Sequence, residues 1–314
     1  MSVLANDLAN WLEATGSNGV VTDIKELLYY RGKTGLLQLT PKIANQAKLA
    51  GNYLAKSKGR GMEFDEVRHY QTGDDPRMID WRVTARTGKA HTKLFREEKE
   101  RPVFVLTDLS QTMQFGTQLL YKSVQACHLS ALIAWRAKQR GDRLGGIVFN
   151  QDTHLELKPK SRQAGVLQYL HALQTLSQNH TAQTSKTNFN DALARLRRLA
   201  KPGSMICIVS DFRQLDDVSA KHLSQLSRHC ELIAFNVSDP IEHTLPDAKY
   251  KQALMVEEEG KQGQLLIGDR GFNQQYQSEA EQHHADLMKQ LKKVKCQIIN
   301  ISAAKPIENQ LSRW

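Results

Sequence analysis

Cysteine is scarce in this chain: four residues in 314, Cys127, Cys207, Cys230 and Cys296, widely spaced and with no CxxC pair. That spacing argues against a structural zinc site and suits reduced thiols better than a disulfide framework. Long apolar runs are missing too. Stretches such as Ala131–Trp135 and Met205–Val209 are far too short to span a bilayer, and Met1 to Glu13 carries Asp7 and Glu13, unlike a signal peptide. The expectation is a soluble, cytoplasmic protein with no membrane insertion. No Gly-x-Ser-x-Gly nucleophile elbow occurs. Gly32-Lys33-Thr34 looks like the end of a phosphate-binding loop, but Leu27 stands where its first glycine is needed. Internal repeats and low-complexity segments are absent.

What is present is an ordinary globular composition, 40% hydrophobic and 24% charged, in a chain long enough for a main domain and a smaller one. Lys and Arg outnumber Asp and Glu by 43 to 33, a net charge of +10. The basic residues are interleaved with acidic ones, as in Lys93-Leu-Phe-Arg-Glu-Glu-Lys-Glu-Arg101. Without an aromatic RNA-binding motif or zinc-finger spacing, this reads as a solvated basic surface or one for an acidic protein, ahead of specific nucleic-acid binding.

Up to about Pro102 the pattern is irregular: a smaller α+β region over 1–100. Asp23–Tyr30 and Pro41–Ala55 have helical apolar spacing, Gly59–Tyr70 reads as a turn and a short strand, and Gly73-Asp-Asp-Pro76 as a turn before Met78–Arg82. Beyond it, over 101–304, strands and helices alternate. Val103–Thr107, Leu144–Phe149, Ser204–Val209, Glu231–Val237 and Cys296–Ile301 read as strands, and Thr153–Leu157 as an edge strand. Helices are expected at Leu119–Arg140, Gly165–Leu176, Ala192–Leu199, Val218–Ser227 and Ser278–Val294, with a hairpin over Met255–Ile267. This alternation implies a doubly wound α/β domain with a mostly parallel sheet, followed by a tail at 305–314.

In such sheets ligands bind beyond the carboxyl ends of the strands. One strand here ends in Thr107-Asp108-Leu-Ser110-Gln-Thr112-Met113 and another in Ser210-Asp211-Phe212, while Thr184-Ser-Lys-Thr187-Asn-Phe-Asn190 opens a helix between them. Carboxylates and hydroxyls converging on one edge make a hard-oxygen site suited to Mg2+ or Mn2+. The alternation Asp-x-Ser-x-Thr lets one loop point three oxygens the same way. For Asp108 and Ser110 alone, capping of a loop-to-helix junction is the simpler reading. A second strand-end acid and Thr187 favour a metal site.

DLSQTM, TSKTN and SDF resemble the three-part metal-ion-dependent adhesion site (MIDAS) of von Willebrand factor A domains. The preceding segment, GRGMEFDEVRHYQTGDDPRMIDWRVTARTGKAHTKLFREEKERP, resembles the bacterial family known as domain of unknown function 58. The resemblance runs from about Arg60 to Phe212 and weakens beyond. It implies a von Willebrand factor A-like, Rossmann-type fold, with Asp108, Ser110 and Thr112 as the first metal element, Thr187 as the second and Asp211 as the third. Thr112 stands where Ser is usual, which adds a methyl near the ion. The resemblance also implies a non-enzymatic adaptor or chaperone-like role beside a MoxR-type AAA+ ATPase, with other von Willebrand factor A-like proteins as further partners. In the upstream signature, Gly59, Gly61, Asp74, Asp75, Asp80 and Trp81 read as turns, caps and packing, whereas Arg82 and Arg86 are candidates for a partner-facing surface. A metal-dependent hydrolase using the same site is the alternative. Against it, Ser110 stands where a haloacid dehalogenase-type phosphatase has its second Asp, and no His, Glu or Lys base lies within the motifs. His283-His284, on a polar helix, is expected at an exposed surface.

Overall fold

In the computed structural model the described residues are 2–39, 62–97, 100–178, 188–246, 248, 250–258 and 261–311. Contacts divide the chain into two units, residues 1–49 with 101–314, and residues 50–100. The elements in chain order begin with α1 (Ser2–Thr15) and α2 (Ile24–Tyr29). The second unit follows, with β1 (Met62–His69), α3 (Trp81–Thr87) and β2 (His91–Glu97). Then come β3 (Pro102–Asp108), α4 (Lys122–Gln139), β4 (Arg143–Phe149), β5 (His154–Lys160) and α5 (Arg162–Gln178). They are followed by α6 (Phe189–Leu199), β6 (Met205–Ser210), α7 (Asp217–Ser227) and β7 (Glu231–Ser238). The chain closes with β8 (Gln252–Glu258), β9 (Lys261–Ile267), α8 (Arg270–Lys293), β10 (Gln297–Ser302) and α9 (Glu308–Leu311).

Six strands form one sheet in the order β10-β7-β6-β3-β4-β5. Every pairing is parallel except β4 with the edge strand β5. This is the mostly parallel, helix-flanked α/β sheet that the alternating pattern predicts. The apolar run of β3 feeds both faces, because successive side chains point to opposite sides. Val103 and Val105 join a core with Ala131, Ala134 and Trp135 of α4 and Leu170 of α5. Phe104 and Leu106 join a second core with Leu193 and Leu196 of α6 and Leu223 of α7. Helix α4 contains no Gly or Pro and is buried along most of its length, which suits the central position. Its neighbour α5 approaches β4 closely. A β-carbon at Gly146 would overlap the Val105 carbonyl oxygen and the Tyr169 ring.

Four parts of the sequence reading change. Helix α1 has no counterpart in it, and α8 starts eight residues earlier than expected, since its first turns are polar and Asp269 caps them by accepting from the Phe272 N–H (3.0 Å). Residues 2–39 belong with the sheet rather than with the segment after them. Leu27 and Tyr30 lie in the core of α4, and the Trp135 indole donates to the Leu27 carbonyl (3.1 Å). The residues read as a tail also contribute, through buried Ile307 and Leu311. The expected hairpin is present as β8 and β9. The helix expected at Pro41–Ala55 lies outside the described residues.

Within the second unit, β1 and β2 pair as an antiparallel ribbon. Its signature residues have local structural roles. Asp74 accepts from Arg68 (2.7 Å) and the Gln71 N–H (2.9 Å), Asp75 caps a 3-10 turn at Pro76–Met78, and Asp80 caps α3 through the Arg82 and Val83 N–H groups. Trp81 is 70% exposed. Gly59 and Gly61 lie outside the described residues.

Candidate metal centre

Strands β3 and β6 are adjacent and parallel, with Thr107 opposite Val209, so the sequence runs out of both at the same edge. Asp108 is the last residue of β3, and Asp211 follows Ser210 at the end of β6. Both carboxylates are buried. The Ser210 hydroxyl donates to Asp108 Oδ2 (2.6 Å), and the Ser110 N–H donates to Asp108 Oδ1 (2.9 Å). The second bond closes a tight side-chain turn that aims Ser110 along the sheet edge. Ser110 Oγ then lies 3.4 Å from Thr112 Oγ1, which sits in a 3-10 turn at Gln111–Met113. Four of the five residues implied as metal ligands thus lie at one corner. Thr187 lies outside the described residues.

The Asp108 carboxyl is pushed up to about 6, first by burial and then by the neighbouring charge of Asp211. The hydrogen bonds from Ser210 and Ser110 work in the opposite direction. Asp211 is held differently. Its Oδ1 accepts from the Arg213 N–H (3.1 Å), and its Oδ2 receives Lys122 Nζ at 2.8 Å. Between them Phe212 takes a left-handed φ of +55°, costly for a non-glycine residue, and its ring packs edge-on against Phe189 at 5.9 Å between centroids. Packing thereby holds a strained turn beside Asp211.

Lys122 is the residue sequence reasoning missed. It is the first residue of α4, is only 1% exposed, and reaches Glu242 Oε1 at 2.7 Å as well as Asp211. Glu242 is fixed in turn by the Asp239 N–H on Oε2 (2.9 Å) and by Arg213 Nη2 on Oε1 (3.3 Å). The one local clue to Lys122 is a cation at a helix start, where the helix dipole disfavours it. Asp239 also accepts from the backbone and hydroxyl of Thr117, at 2.9 and 2.5 Å, tying down the loop before α4. That loop is further pinned by Leu120 N–H on the Ala303 carbonyl (3.2 Å) and Tyr121 N–H on the Gly19 carbonyl (2.8 Å). Gly19 has φ +78° and no room for a β-carbon against the Leu119 carbonyl.

A cleft of about 750 Å3 opens from Thr112, Asp211 and Glu242 toward Tyr276, His283 and His284. His284 meets His243 edge-on (5.7 Å), and burial lowers its pKa. Of the pair expected at an exposed surface, His283 is exposed and His284 is half-buried, and both line this cleft. Among the described residues no group of three or more His, Cys, Asp or Glu side chains could hold a metal ion. A cation at this corner would depend on the hydroxyls of Ser110 and Thr112 together with the two carboxylates. That all-oxygen set fits Mg2+ or Mn2+ and does not suit a soft metal. Arg82 and Arg86, the other candidates, are exposed on α3 of the second unit.

The profile of the family "Protein of unknown function DUF58" matches residues 66–286. Uncharacterized proteins Rv1480 of Mycobacterium tuberculosis and Mb1516 of Mycobacterium bovis are each 28% identical over 263 residues, covering 82% of this chain and 79% of theirs. Among solved structures, the conserved hypothetical protein BatB of Bacteroides thetaiotaomicron aligns at 14% identity with a TM-score of 0.40, over 68% of this chain and 98% of its own. An aerotolerance-related membrane protein of Bacteroides fragilis aligns at 16% identity and 0.40, over 68% and 100%. An uncharacterized membrane spanning protein of Vibrio fischeri aligns at 14% and 0.24, over 67% and 94%. The last two are described as membrane proteins, and the cytoplasmic location expected from the sequence is not retained. The expectation rested on missing apolar spans, which do not fix a compartment. Among the described residues no helix is long and apolar enough to cross a membrane.

Proposed function

The chain belongs to the DUF58 family, and from that premise we propose that it is a von Willebrand factor A-like protein-interaction module, not an enzyme, which engages its partner through a divalent cation. The observation that carries this reading is the corner where Asp108, Ser110 and Thr112 meet Asp211 at the ends of two adjacent parallel strands. Asp108 and Asp211 supply charge, Ser110 and Thr112 supply neutral oxygens, and the adjoining cleft admits a partner. A cation held by so few charges stays electron-poor, so a carboxylate from the partner strengthens the assembly. The same corner favours binding over hydrolysis. The Asp108 carboxylate beside Ser110 is assigned to the cation, the Ser110 and Thr112 hydroxyls face each other, and Lys122 is engaged by two carboxylates.

The partner we propose is a MoxR-type AAA+ ATPase, with exposed Arg82 and Arg86 as a second contact. The test is co-purification of the full chain with the MoxR-type ATPase of the same organism, with and without EDTA, for wild type and Asp108→Ala. Retention that is lost in EDTA and in the variant supports the metal bridge. Unchanged retention in both sinks it, and turnover of phosphate or ester substrates abolished by Asp108→Ala would replace it with the hydrolase reading.

A further inference from the structure

Resting on the reading that the Asp108–Asp211 corner takes a divalent cation, we propose that Lys122 is the resident counter-ion of this site. Its ammonium competes with the divalent cation for Asp211, and Glu242 is the berth that retains the ammonium when Asp211 is given up.

The geometry carries this in three steps. First, an ammonium 1% exposed needs carboxylate partners, and Lys122 has two, Asp211 at 2.8 Å and Glu242 at 2.7 Å. Asp211 is therefore neutralised by the protein itself. Second, the two berths are unequal. Glu242 is locked by the Asp239 N–H and by Arg213, so it remains in place whatever happens at Asp211. The flexible four-carbon stem of lysine lets the ammonium pivot about that fixed point. Third, Asp108 is satisfied by two neutral donors, the Ser210 hydroxyl and the Ser110 N–H, and by no ion pair among the described residues. The cluster holds three carboxylates (Asp108, Asp211, Glu242) against two cations (Lys122, Arg213), so it has an anionic side and a compensated side.

Two cations beside one carboxylate repel each other, more strongly at a buried site than in water. Divalent binding at this corner therefore carries the cost of releasing Lys122 from Asp211. The arrangement keeps the corner folded without metal and makes its affinity for metal low until a partner contributes a further acid.

The experiment is a calorimetric titration of the full chain with Mn2+ alone, paired with thermal melts with and without Mn2+. The variants are Lys122→Met and Lys122→Gln, each with and without Asp108→Ala. Removing the ammonium should tighten Mn2+ binding on the order of tenfold or more. It should also enlarge the Mn2+-induced rise in Tm, and both effects should disappear with Asp108→Ala. Wild-type Mn2+ affinity in both Lys122 variants, still lost with Asp108→Ala, overturns the counter-ion role and leaves the metal reading standing. No Mn2+ binding by any folded variant overturns the metal reading and this inference together. A Lys122 variant that folds only when Mn2+ is added supports the proposal, and one that stays unfolded in Mn2+ counts against it, because the divalent cation should replace the lost charge.

Discussion

Glu26 and His128 are hydrogen-bonded in the core, with Oε2 2.7 Å from Nε2 and both side chains almost fully buried. The other imidazole nitrogen lies 3.1 Å from the Tyr30 hydroxyl, and the second Glu26 oxygen accepts from the Asp23 N–H (2.6 Å). One polar network thus fastens α2 to α4. His128→Leu leaves Glu26 and Tyr30 short of partners in an apolar setting. The expected loss is about 1–3 kcal/mol, and more if the Glu26 carboxylate stays charged. Urea unfolding of the variant checks it, and a loss below the error of the method would show that water replaces the imidazole.

The stability of wild type depends on pH through Asp108. Its carboxyl titrates near 6 in the folded chain, raised by burial and by Asp211, and returns to about 3.9 when unfolded. Between these values the folded chain holds the proton more tightly. The contribution is present below the unfolded value and is lost as pH rises through 6. Asp108→Asn, which carries no charge, should exceed wild type in stability at pH 7.5 by about 1–3 kcal/mol. The advantage should shrink as pH falls from 6 toward 4. Denaturant titrations at pH 7.5 and 4.5 distinguish this from a difference that stays constant.

Gly146 sits where α5 presses on the sheet. In Gly146→Ala the new methyl meets the Val105 carbonyl and the Tyr169 ring, so strands β3 and β4 or helix α5 must move apart. A cost of about 1–3 kcal/mol or more is expected, read as a fall in Tm. Thr107, Ser130 and Tyr169 share hydroxyl hydrogen bonds of 2.7 Å at this contact, so Tyr169→Phe added to Gly146→Ala should be less than additive.

All four cysteines are buried. Burial pushes the thiols of Cys127 and Cys296 up to about 12 and that of Cys230 up to about 11, and raises Cys207 as well. A buried thiol that keeps its proton is a poor nucleophile. The native chain should therefore resist a thiol-reactive dye at pH 8, and four equivalents should react once it is unfolded. Rapid labelling of Cys230, the least enclosed by this measure, would point to local opening between β6 and β7.

The sheet was legible because VFVLT, SMICIV and ELIAFNV are buried on both faces and so write continuous apolar runs. Asp108 and Asp211 were legible as polar residues at the ends of such runs. Lys122 and Glu242 were not, since their contacts join positions 89 and 120 residues apart and leave no local period. Helix α1 escaped although Leu4, Leu8, Trp11 and Leu12 recur at helical spacing, because no capping residue marks its start.

The loop before α4 hydrogen-bonds to the backbone at both Gly19 and Ala303, and Ala303 follows the last strand of the sheet. Ala303 is itself tied to Ser238 at the end of β7 (2.9 Å). During synthesis, Asp108, Lys122 and Asp211 all emerge from the ribosome long before residue 303 does. Until that residue arrives, the loop lacks one of its anchors and Lys122 lacks a fixed approach to Asp211. The corner is therefore completed late in the life of the nascent chain, and a molecule halted before β10 would carry every proposed ligand residue without the arrangement that brings them together.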